Sequence, residues 1–268
     1  MNRRSLSTIL VFSILILLSG CRSEFEKIRA SGDTELVVEN ALKYYEAEEY
    51  LRAQTLMELV INSVRGLSES EEIYFKYAYT HYNLNNYVLA AYYFKNFRST
   101  FPNSEYREEA DFMEAYSYFK QSPSFRLDQT NSRAAIEGFQ LFANTYPNSS
   151  RVEECNTLID RLRRKLEQKA FDQAVLYYDL KQYQSATHAF ENLLKDFPES
   201  PDVERVRYLM AKASYLLAEN SVFRKKAERY EEAIDYATNF SGRYDSSKFL
   251  KEINDILEDS DKKLKSLR

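Results

Sequence analysis

The sequence predicts an all-α protein in which pairs of helices repeat along the chain and stack into a solenoid. Turn-forming residues are scarce, since the 268 residues include only five glycines and five prolines, well below the usual roughly 7% and 5%. Apolar residues recur at spacings of three and four, which places them on one side of a helix. A Pro-containing motif occurs three times. These observations argue against folds that depend on hairpin turns or glycine-rich phosphate loops.

The chain begins with a segment that is typical of a cleaved signal peptide. Two arginines precede the apolar stretch 6–17, which is shorter than the roughly 20 apolar residues that span a bilayer. The following tetrapeptide 18–21, Leu-Ser-Gly-Cys, resembles a bacterial lipoprotein lipobox. This resemblance implies that residues 1–20 are removed and that Cys21 is the lipid attachment site, carrying diacylglycerol and an N-acyl chain. An uncleaved N-terminal anchor with an incidental cysteine is the alternative.

Residues 21–35 are predicted to be a lipidated tether, because they are mostly polar and show weak periodicity. Acyl chains contribute about 0.8 kcal/mol per buried CH₂, so more than one chain holds a protein on a membrane. Resemblance to lipoprotein sorting signals adds that Arg22 is not the Asp that retains many lipoproteins in an inner membrane. The expected location is therefore the periplasmic face of the outer membrane, with the membrane contacted through the lipid anchor.

The repeated motif is an aromatic residue, Pro, Asn or Glu, and Ser, and it marks the ends of helices. Its copies at 101–104, 146–149 and 197–200 lie 45 and 51 residues apart. Proline ends a helix because it cannot donate the next hydrogen bond. The same apolar stripe precedes each copy and recurs without Pro near both ends of the chain. Its five copies are Tyr50/Ala53/Met57/Val60, Ala90/Phe94/Phe97, Ala135/Phe139/Phe142, Ala186/Phe190/Leu193 and Tyr230/Ala233/Ala237/Phe240.

A second pattern, Ala-x3-Tyr-x4-Tyr, predicts a helix before each stripe. Its copies begin at Ala41, Ala78 and Ala174. The offsets of Tyr, Ala, Phe and Pro resemble the second helix of a tetratricopeptide repeat, and pairs of this kind stack so that their first helices line a concave groove. The predicted fold class is thus an all-α, tetratricopeptide-like helical-repeat solenoid of five helix pairs plus a C-terminal capping helix.

The element boundaries follow from these patterns. The pairs are expected at 36–65, 69–102, 105–147, 151–198 and 202–245, and the capping helix at 246–265. Repeats 1–3 then occupy 36–147, and repeats 4 and 5 with the capping helix occupy 148–268.

Two segments depart from the simple repeat. Residues 151–180 lack Pro and Gly, so the first helix of the fourth pair is expected to run for about 30 residues, or about 45 Å. The stretch 121–130 contains turn-forming residues and is predicted to be an exposed loop carrying Phe125 and Arg126. This loop is either a binding element or a spacer between helices.

The sequence offers no pattern typical of catalysis or of metal binding. The two histidines, His81 and His188, have no Cys or second His at metal-ligand spacing, and catalytic and nucleotide-binding signatures are missing. Cys155 lies in an apolar helical series and is expected to be a small buried residue. The net charge of −4 and the isoelectric point near 5.5 make nucleic acid an improbable partner. We therefore predict no enzymatic activity, no metal and no cofactor.

The third repeat resembles a known family most closely. The stretch 127–130, Leu-Asp-Gln-Thr, the apolar residues of 134–142 and the motif at 146–149 are similar to the third repeat of the BamD family of lipoproteins, and the resemblance extends over essentially the whole chain. It implies a non-enzymatic scaffold of the machinery that assembles outer-membrane β-barrel proteins. C-terminal repeats would bind an Omp85-type core subunit, and N-terminal repeats would receive the C-terminal strands of unfolded barrel proteins.

Carried over by position, the resemblance implies two regions of contact. The substrate groove would lie around Tyr45, Phe75, Tyr79 and Tyr82, and the partner contact around Tyr215, Arg224, Arg229 and Tyr230. Tyrosine combines a large apolar area with a hydrogen-bonding tip, so each groove residue could instead pack between repeats.

Two other functions fit the same repeats and anchor. A pilotin would escort secretin subunits to the outer membrane and would be distinguished by the partner that co-purifies with it. A surface glycan-binding lipoprotein would bind soluble glycans, although such proteins usually carry long insertions and Trp platforms, and Trp is absent from this sequence.

Overall fold

The computed structural model describes residues 23–66 and 69–268, and these residues form twelve α-helices and no β-strand. The predicted signal peptide 1–20 and Cys21 lie outside the described residues. The helices are α1 Glu24–Arg29, α2 Thr34–Glu46, α3 Tyr50–Val60, α4 Ser70–Asn83, α5 Tyr87–Thr100, α6 Arg107–Gln121, α7 Thr130–Thr145, α8 Val152–Asp179, α9 Tyr183–Asp196, α10 Val203–Glu219, α11 Phe223–Ser241 and α12 Leu250–Leu267.

The predicted fold class is confirmed. Helices α2 to α11 form five pairs, α12 follows as a C-terminal helix, and the two members of a pair lie side by side. The first helices of the first two pairs, α2 and α4, also contact each other. Helix α8 has 28 residues, or about 42 Å at 1.5 Å per residue, so the long first helix of the fourth pair is also confirmed.

The Ser of the repeated motif explains why each copy forms a turn. Ser104 Oγ accepts a hydrogen bond from the backbone N–H of Tyr106 at 3.2 Å. Equivalent bonds join Ser149 to Arg151 at 3.3 Å and Ser200 to Asp202 at 3.1 Å. The fifth pair lacks the Pro but makes the same bond from Ser247 to Phe249 at 3.0 Å. The serine therefore holds the start of the following helix, as Ser does in local turns.

The turns inside three of the pairs share one backbone conformation. Glu48, Asn85 and Lys181 have φ values of 59°, 60° and 59°, the left-handed region in which helices commonly end. In each turn the next residue donates its N–H to a carbonyl five residues earlier, at 2.8 or 2.9 Å. Each of these turns lies between the two tyrosines of one copy of Ala-x3-Tyr-x4-Tyr.

A short helix lies within the segment predicted as a tether, and this corrects the prediction for residues 24–29. Ser23 caps the helix by accepting a hydrogen bond from the Glu26 N–H at 3.3 Å. Ile28 is only 7% exposed, and the Phe25 ring lies 5.7 Å from that of Tyr44 in α2. Two apolar residues are too few to show helical periodicity, but docking on α2 gives them a buried face.

The chain divides into two compact units. Unit 1 contains the described residues up to Ser122 together with Thr130–Leu158, and unit 2 contains Pro123–Gln129 and Ile159–Arg268. Alanines and aromatic rings of the apolar stripes fill the core of each unit, including Phe94 and Phe139 in unit 1 and Phe190 and Phe240 in unit 2, all at most 1% exposed. The sequence analysis separates repeats 1–3 from repeats 4 and 5 between residues 147 and 148. That boundary follows from the repeat pattern and not from the two compact units, and it stays a prediction.

Cys155 is fully buried, as the sequence predicts. Burial raises the pKa of its thiol to about 11, so the thiol stays protonated and unreactive at neutral pH. Within the described ranges no helix combines the length and the apolar character that crossing a bilayer requires.

Candidate protein-binding surfaces

The four predicted groove residues lie in unit 1, with Tyr45 on α2 and Phe75, Tyr79 and Tyr82 on α4. We call these four residues and the aromatic rings that contact them the aromatic row. Tyr79 lies between Phe75 and Tyr82, with ring centroids 5.0 and 6.4 Å away. Phe75 stacks on Tyr106 at 4.6 Å, and the Tyr45 ring lies 5.6 Å from Tyr50. Tyr82 extends the row to Tyr87 at 5.4 Å and to Tyr116 of α6 at 6.1 Å.

Each of the four residues is half-buried. The inner edges pack on the core, since the Phe75 ring lies 5.5 Å from Phe97 and the Tyr79 ring 5.1 Å from Phe94. The same side chains therefore pack on the core and keep part of their surface accessible. Packing between repeats and contact with a ligand, which the sequence leaves as alternatives, are both compatible with this position. Burial is the main cause that raises the pKa of Tyr82 to about 12. Its hydroxyl is therefore neutral at physiological pH and can form hydrogen bonds.

An ion pair that the sequence analysis did not identify borders the aromatic row. Arg151 donates to both carboxylate oxygens of Glu109, at 2.9 and 2.7 Å, and Tyr79 donates its hydroxyl to the same carboxylate. The Arg151 guanidinium also lies 4.1 Å from the centroid of the Phe112 ring, a cation–π contact. Burial, reinforced by the Glu109 hydrogen bond, raises the pKa of Tyr79. The row thus has a charged, hydrogen-bonded edge.

At the other end of the row a lysine covers Tyr45. The Lys76 Nζ atom lies 4.9 Å from the centroid of the Tyr45 ring and forms ion pairs with Glu46 at 2.5 Å and Glu72 at 3.0 Å. Burial is the main cause of the raised pKa of Tyr45. Charged groups therefore border the aromatic rings at Tyr45 and at Tyr79.

A cavity of about 470 Å³ lies elsewhere in unit 1, among α5, α6 and α7. Arg98 contributes to it and lies 3.4 Å from Asp111 and 3.3 Å from Glu114. Burial raises the pKa of Glu114, although Arg98 opposes this shift. The lining contains three basic and three acidic residues, so the cavity favours neither sign of charge.

The four predicted partner-contact residues lie near the ends of α10 and α11 in unit 2, and three of them are engaged within the protein. Tyr215 donates its hydroxyl to Asp259 at 2.6 Å, and Arg229 donates to the Ser221 hydroxyl. Arg224 is exposed. The other three side chains are half-buried or buried.

Tyr230 is a correction to the sequence analysis. It is 2% exposed, packs in the core with Ala218 and Leu264, and donates its hydroxyl to Glu219. Its place in the apolar stripe of the fifth repeat explains this burial. A side chain so enclosed holds α11 in position but cannot be a direct contact for another protein.

The loop 123–129 is tied to α8 by two lysines of unit 2. Lys165 Nζ donates to the Pro123 carbonyl at 3.0 Å, and Lys169 Nζ donates to the Leu127 carbonyl at 2.9 Å. Inside the loop, the amide of the buried Gln129 donates to Ser124 at 2.8 Å. Leu127 remains 60% exposed. The loop is therefore held in place on the surface. Both predicted roles, a binding element and a spacer between helices, stay open.

The histidines do not form a site in the described part of the chain. His81 is buried beside Gln54, whose amide nitrogen lies 2.9 Å from Nδ1, and burial lowers its pKa. His188 lies on the surface, 3.2 Å from Glu191. No group of His, Cys, Asp and Glu side chains between residues 23 and 66 or 69 and 268 is arranged to hold a metal ion.

Comparisons with known proteins match this chain to a family. A model described as YfiO, outer membrane lipoprotein, matches residues 32–229. A curated protein of Aquifex aeolicus, a putative outer membrane protein assembly factor BamD, is 28% identical over 225 residues, which are 83% of this chain and 72% of that protein. Among solved structures, the TPR2AB domain of yeast Sti1 in a pHSP90 complex covers 85% of this chain and 98% of its own, with a TM-score of 0.40 and 13% identity.

Proposed function

This chain belongs to the YfiO family of outer membrane lipoproteins, and we propose that it is a non-enzymatic scaffold for the assembly of outer-membrane β-barrel proteins. In this proposal the acylated Cys21 holds it on the periplasmic face of the outer membrane. Unit 1 binds unfolded barrel proteins, and unit 2 binds an Omp85-type core subunit. The Aquifex aeolicus relative, which is named as a putative outer membrane protein assembly factor, supports a role in assembly.

The observation that carries the substrate role is the aromatic row. Its rings are half-buried, so they are held in place before a ligand arrives and less conformational entropy is lost on binding. An unfolded barrel protein offers extended segments in which apolar and polar side chains alternate. Apolar faces of such a segment would pack on Phe75 and Tyr82, and its polar groups would meet the Tyr79–Glu109–Arg151 edge.

The experiment for this proposal compares peptide binding by two sets of variants. We expect Tyr82→Ala and the double variant Tyr79→Ala/Tyr82→Ala to bind a peptide from the C-terminal strand of a barrel protein at least about tenfold more weakly. A tenfold loss of affinity corresponds to a loss of only about 1.4 kcal/mol of binding free energy. Fluorescence anisotropy with a labelled peptide measures this affinity.

The matched control is Tyr92→Ala, which removes a tyrosine that is 55% exposed on α5 and outside the aromatic row. Circular dichroism establishes that each variant keeps its helices. Equal peptide affinity of the wild type and the double variant would exclude the aromatic row as the substrate site.

A pull-down of the tagged, lipidated protein from its own membranes in mild detergent tests the role as a whole. Stoichiometric recovery of an Omp85-type protein is the expected result. Recovery of a secretin or a glycan transporter would contradict the proposed function while leaving the fold and the lipid anchor unaffected.

A further inference from the structure

The turn between α10 and α11 exposes the two most accessible large apolar side chains in the described part of the chain. Val222 is 68% exposed and Phe223 is 76% exposed. They are adjacent, so together they form one projecting patch, which we call the apolar knob. Removal of an aromatic side chain from water is strongly favourable, so a partner that covered both side chains would gain binding free energy.

The turn that carries the apolar knob is held by charged side chains. Arg229 donates to the Ser221 hydroxyl, which in turn donates to the Leu217 carbonyl. Lys226 Nζ donates to the Glu219 carbonyl at 3.1 Å. These bonds fix the backbone directly before the knob, so little backbone freedom is lost when the turn binds a partner.

A cleft of about 190 Å³ that is lined by α9, α10 and α11 includes residues from the same turn region. Lys225 and Arg229 line it together with His188, Glu228 and Glu232. Burial raises the pKa of Glu232, which reflects the enclosed position of this carboxylate. The knob and the cleft thus place an apolar anchor beside charged groups of both signs, as at the centre and rim of a protein interface.

The charges around the knob favour a protein over a lipid surface. Residues 219–232 contain four basic and four acidic side chains. A membrane-binding element needs an excess of Lys and Arg toward anionic lipids. A protein surface can instead offer an apolar pocket bordered by both signs of charge, which complements this region group by group.

We propose that Val222 and Phe223 are the apolar anchor of the partner contact in unit 2 and that they enter an apolar pocket, bordered by acidic and basic groups, on a folded domain of the core subunit. This proposal rests on the proposed function. Arg224, the exposed member of the predicted contact set, adjoins the anchor, whereas Tyr230 only supports the helix behind it.

The test measures binding of the full-length lipidated protein in detergent to the purified periplasmic domains of the core subunit by biolayer interferometry. We expect Phe223→Ala to weaken the affinity at least about tenfold, as the loss of an anchor side chain does. Its unfolding temperature should equal that of the wild type, because the ring is exposed. Leu59→Ala is the control, since it removes a side chain that is 51% exposed on α3 and should bind as the wild type does.

The outcomes separate this proposal from the proposed function. Equal affinity of Phe223→Ala and the wild type would overturn the anchor and leave the function in place, whereas no binding by the wild type would overturn both. Phe223-dependent sedimentation with phosphatidylglycerol vesicles would identify a lipid contact and contradict the proposal. A Phe223-dependent dimer in analytical ultracentrifugation would identify a second copy of the chain as the occupant and would also contradict it.

Discussion

Tyrosine hydroxyls in this protein repeatedly donate to a carboxylate from another part of the chain. Tyr79 pairs with Glu109, Tyr146 with Asp111, Tyr208 with Glu252, Tyr215 with Asp259, Tyr230 with Glu219 and Tyr236 with Glu191. A hydrogen bond to a charged group contributes about 1.5–3 kcal/mol when it is protected from water. The abundance of tyrosine therefore has a structural reason, namely rings that pack in the repeats and hydroxyls that join neighbouring helices.

Gly138 lies at a close contact between α7 and α6. A Cβ atom at this position would lie 2.8 Å from the Ala115 Cβ and 3.3 Å from its Cα, so the two helices would have to separate. Gly242 is different, because the nearest atom to a Cβ there is the Thr238 carbonyl oxygen at 3.4 Å.

We expect Gly138→Ala to lower the free energy of unfolding by about 1 kcal/mol, because overpacking of about 1–3 kcal/mol outweighs the better helix propensity of Ala. Gly242→Ala is the matched control and should change it by less than about 0.5 kcal/mol. Urea titrations followed by circular dichroism measure both. A Gly138→Ala protein as stable as the control would show that α6 and α7 can separate without cost.

At the scale of elements, α12 is fixed to α10 by two clusters of polar side chains. Glu252 accepts from Tyr208 at 2.6 Å and pairs with Lys212 at 2.7 Å. Asp259 accepts from Tyr215 at 2.6 Å and pairs with Lys263 at 2.7 Å. Between them, Ile253 and Ile256 are buried in the core of unit 2. The helix thus has a buried apolar face and a charged attachment, as the terminal cap of a repeat array needs.

These clusters predict a loss of stability in acid. The Lys212 and Tyr208 hydrogen bonds lower the pKa of Glu252, and those of Lys263 and Tyr215 lower the pKa of Asp259. Since the unfolded values are about 4.3 and 3.9, the stabilisation is complete above about pH 4.3 and is lost as the pH falls through the lower folded values.

Thermal unfolding from about pH 6 to pH 3 measures this effect. We expect Glu252→Gln/Asp259→Asn to lose less stability in acid than the wild type, whereas Glu258→Gln, on the exposed face of α12, should follow the wild type. Parallel curves for the wild type and the double variant would contradict the role of the two clusters.

For the molecule as a whole, the proposed function requires attachment to the membrane. The described helices offer no segment that could span a bilayer, and the predicted attachment is the acylated Cys21. More than one acyl chain is needed for stable anchoring.

We therefore expect Cys21→Ser to move the protein from the membrane fraction to the soluble fraction, provided that the signal peptide is still removed. Sedimentation of membranes followed by immunoblotting measures this, and Arg22→Lys is the control that should stay with the membrane. A wild-type protein that keeps residues 1–20 and carries no acyl chain on Cys21, as measured by mass spectrometry, would favour the alternative of an N-terminal anchor.

Local patterns in the sequence were enough to predict the five helix pairs, the C-terminal helix and the turns between them, but not the short helix Glu24–Arg29. Helical periodicity, Pro102, Pro147 and the serines of the motif act over only a few residues, so they can be recognised without knowing which helices meet. The same local patterns identified Cys155 as buried, whereas the assignment of Phe75, Tyr79 and Tyr82 to a groove came from the family resemblance.

Only the tertiary structure decided which side chains are free and which are engaged. Tyr79 meets Glu109, Arg151 meets Glu109, and Tyr215 meets Asp259 across separations of 30, 42 and 44 residues. Such pairs depend on the angle and register at which helices pack, and local periodicity does not contain that information. For the same reason, the exposure of Phe223 became evident only once α10 and α11 were in place, whereas the place of Tyr230 in the apolar stripe already indicated its burial.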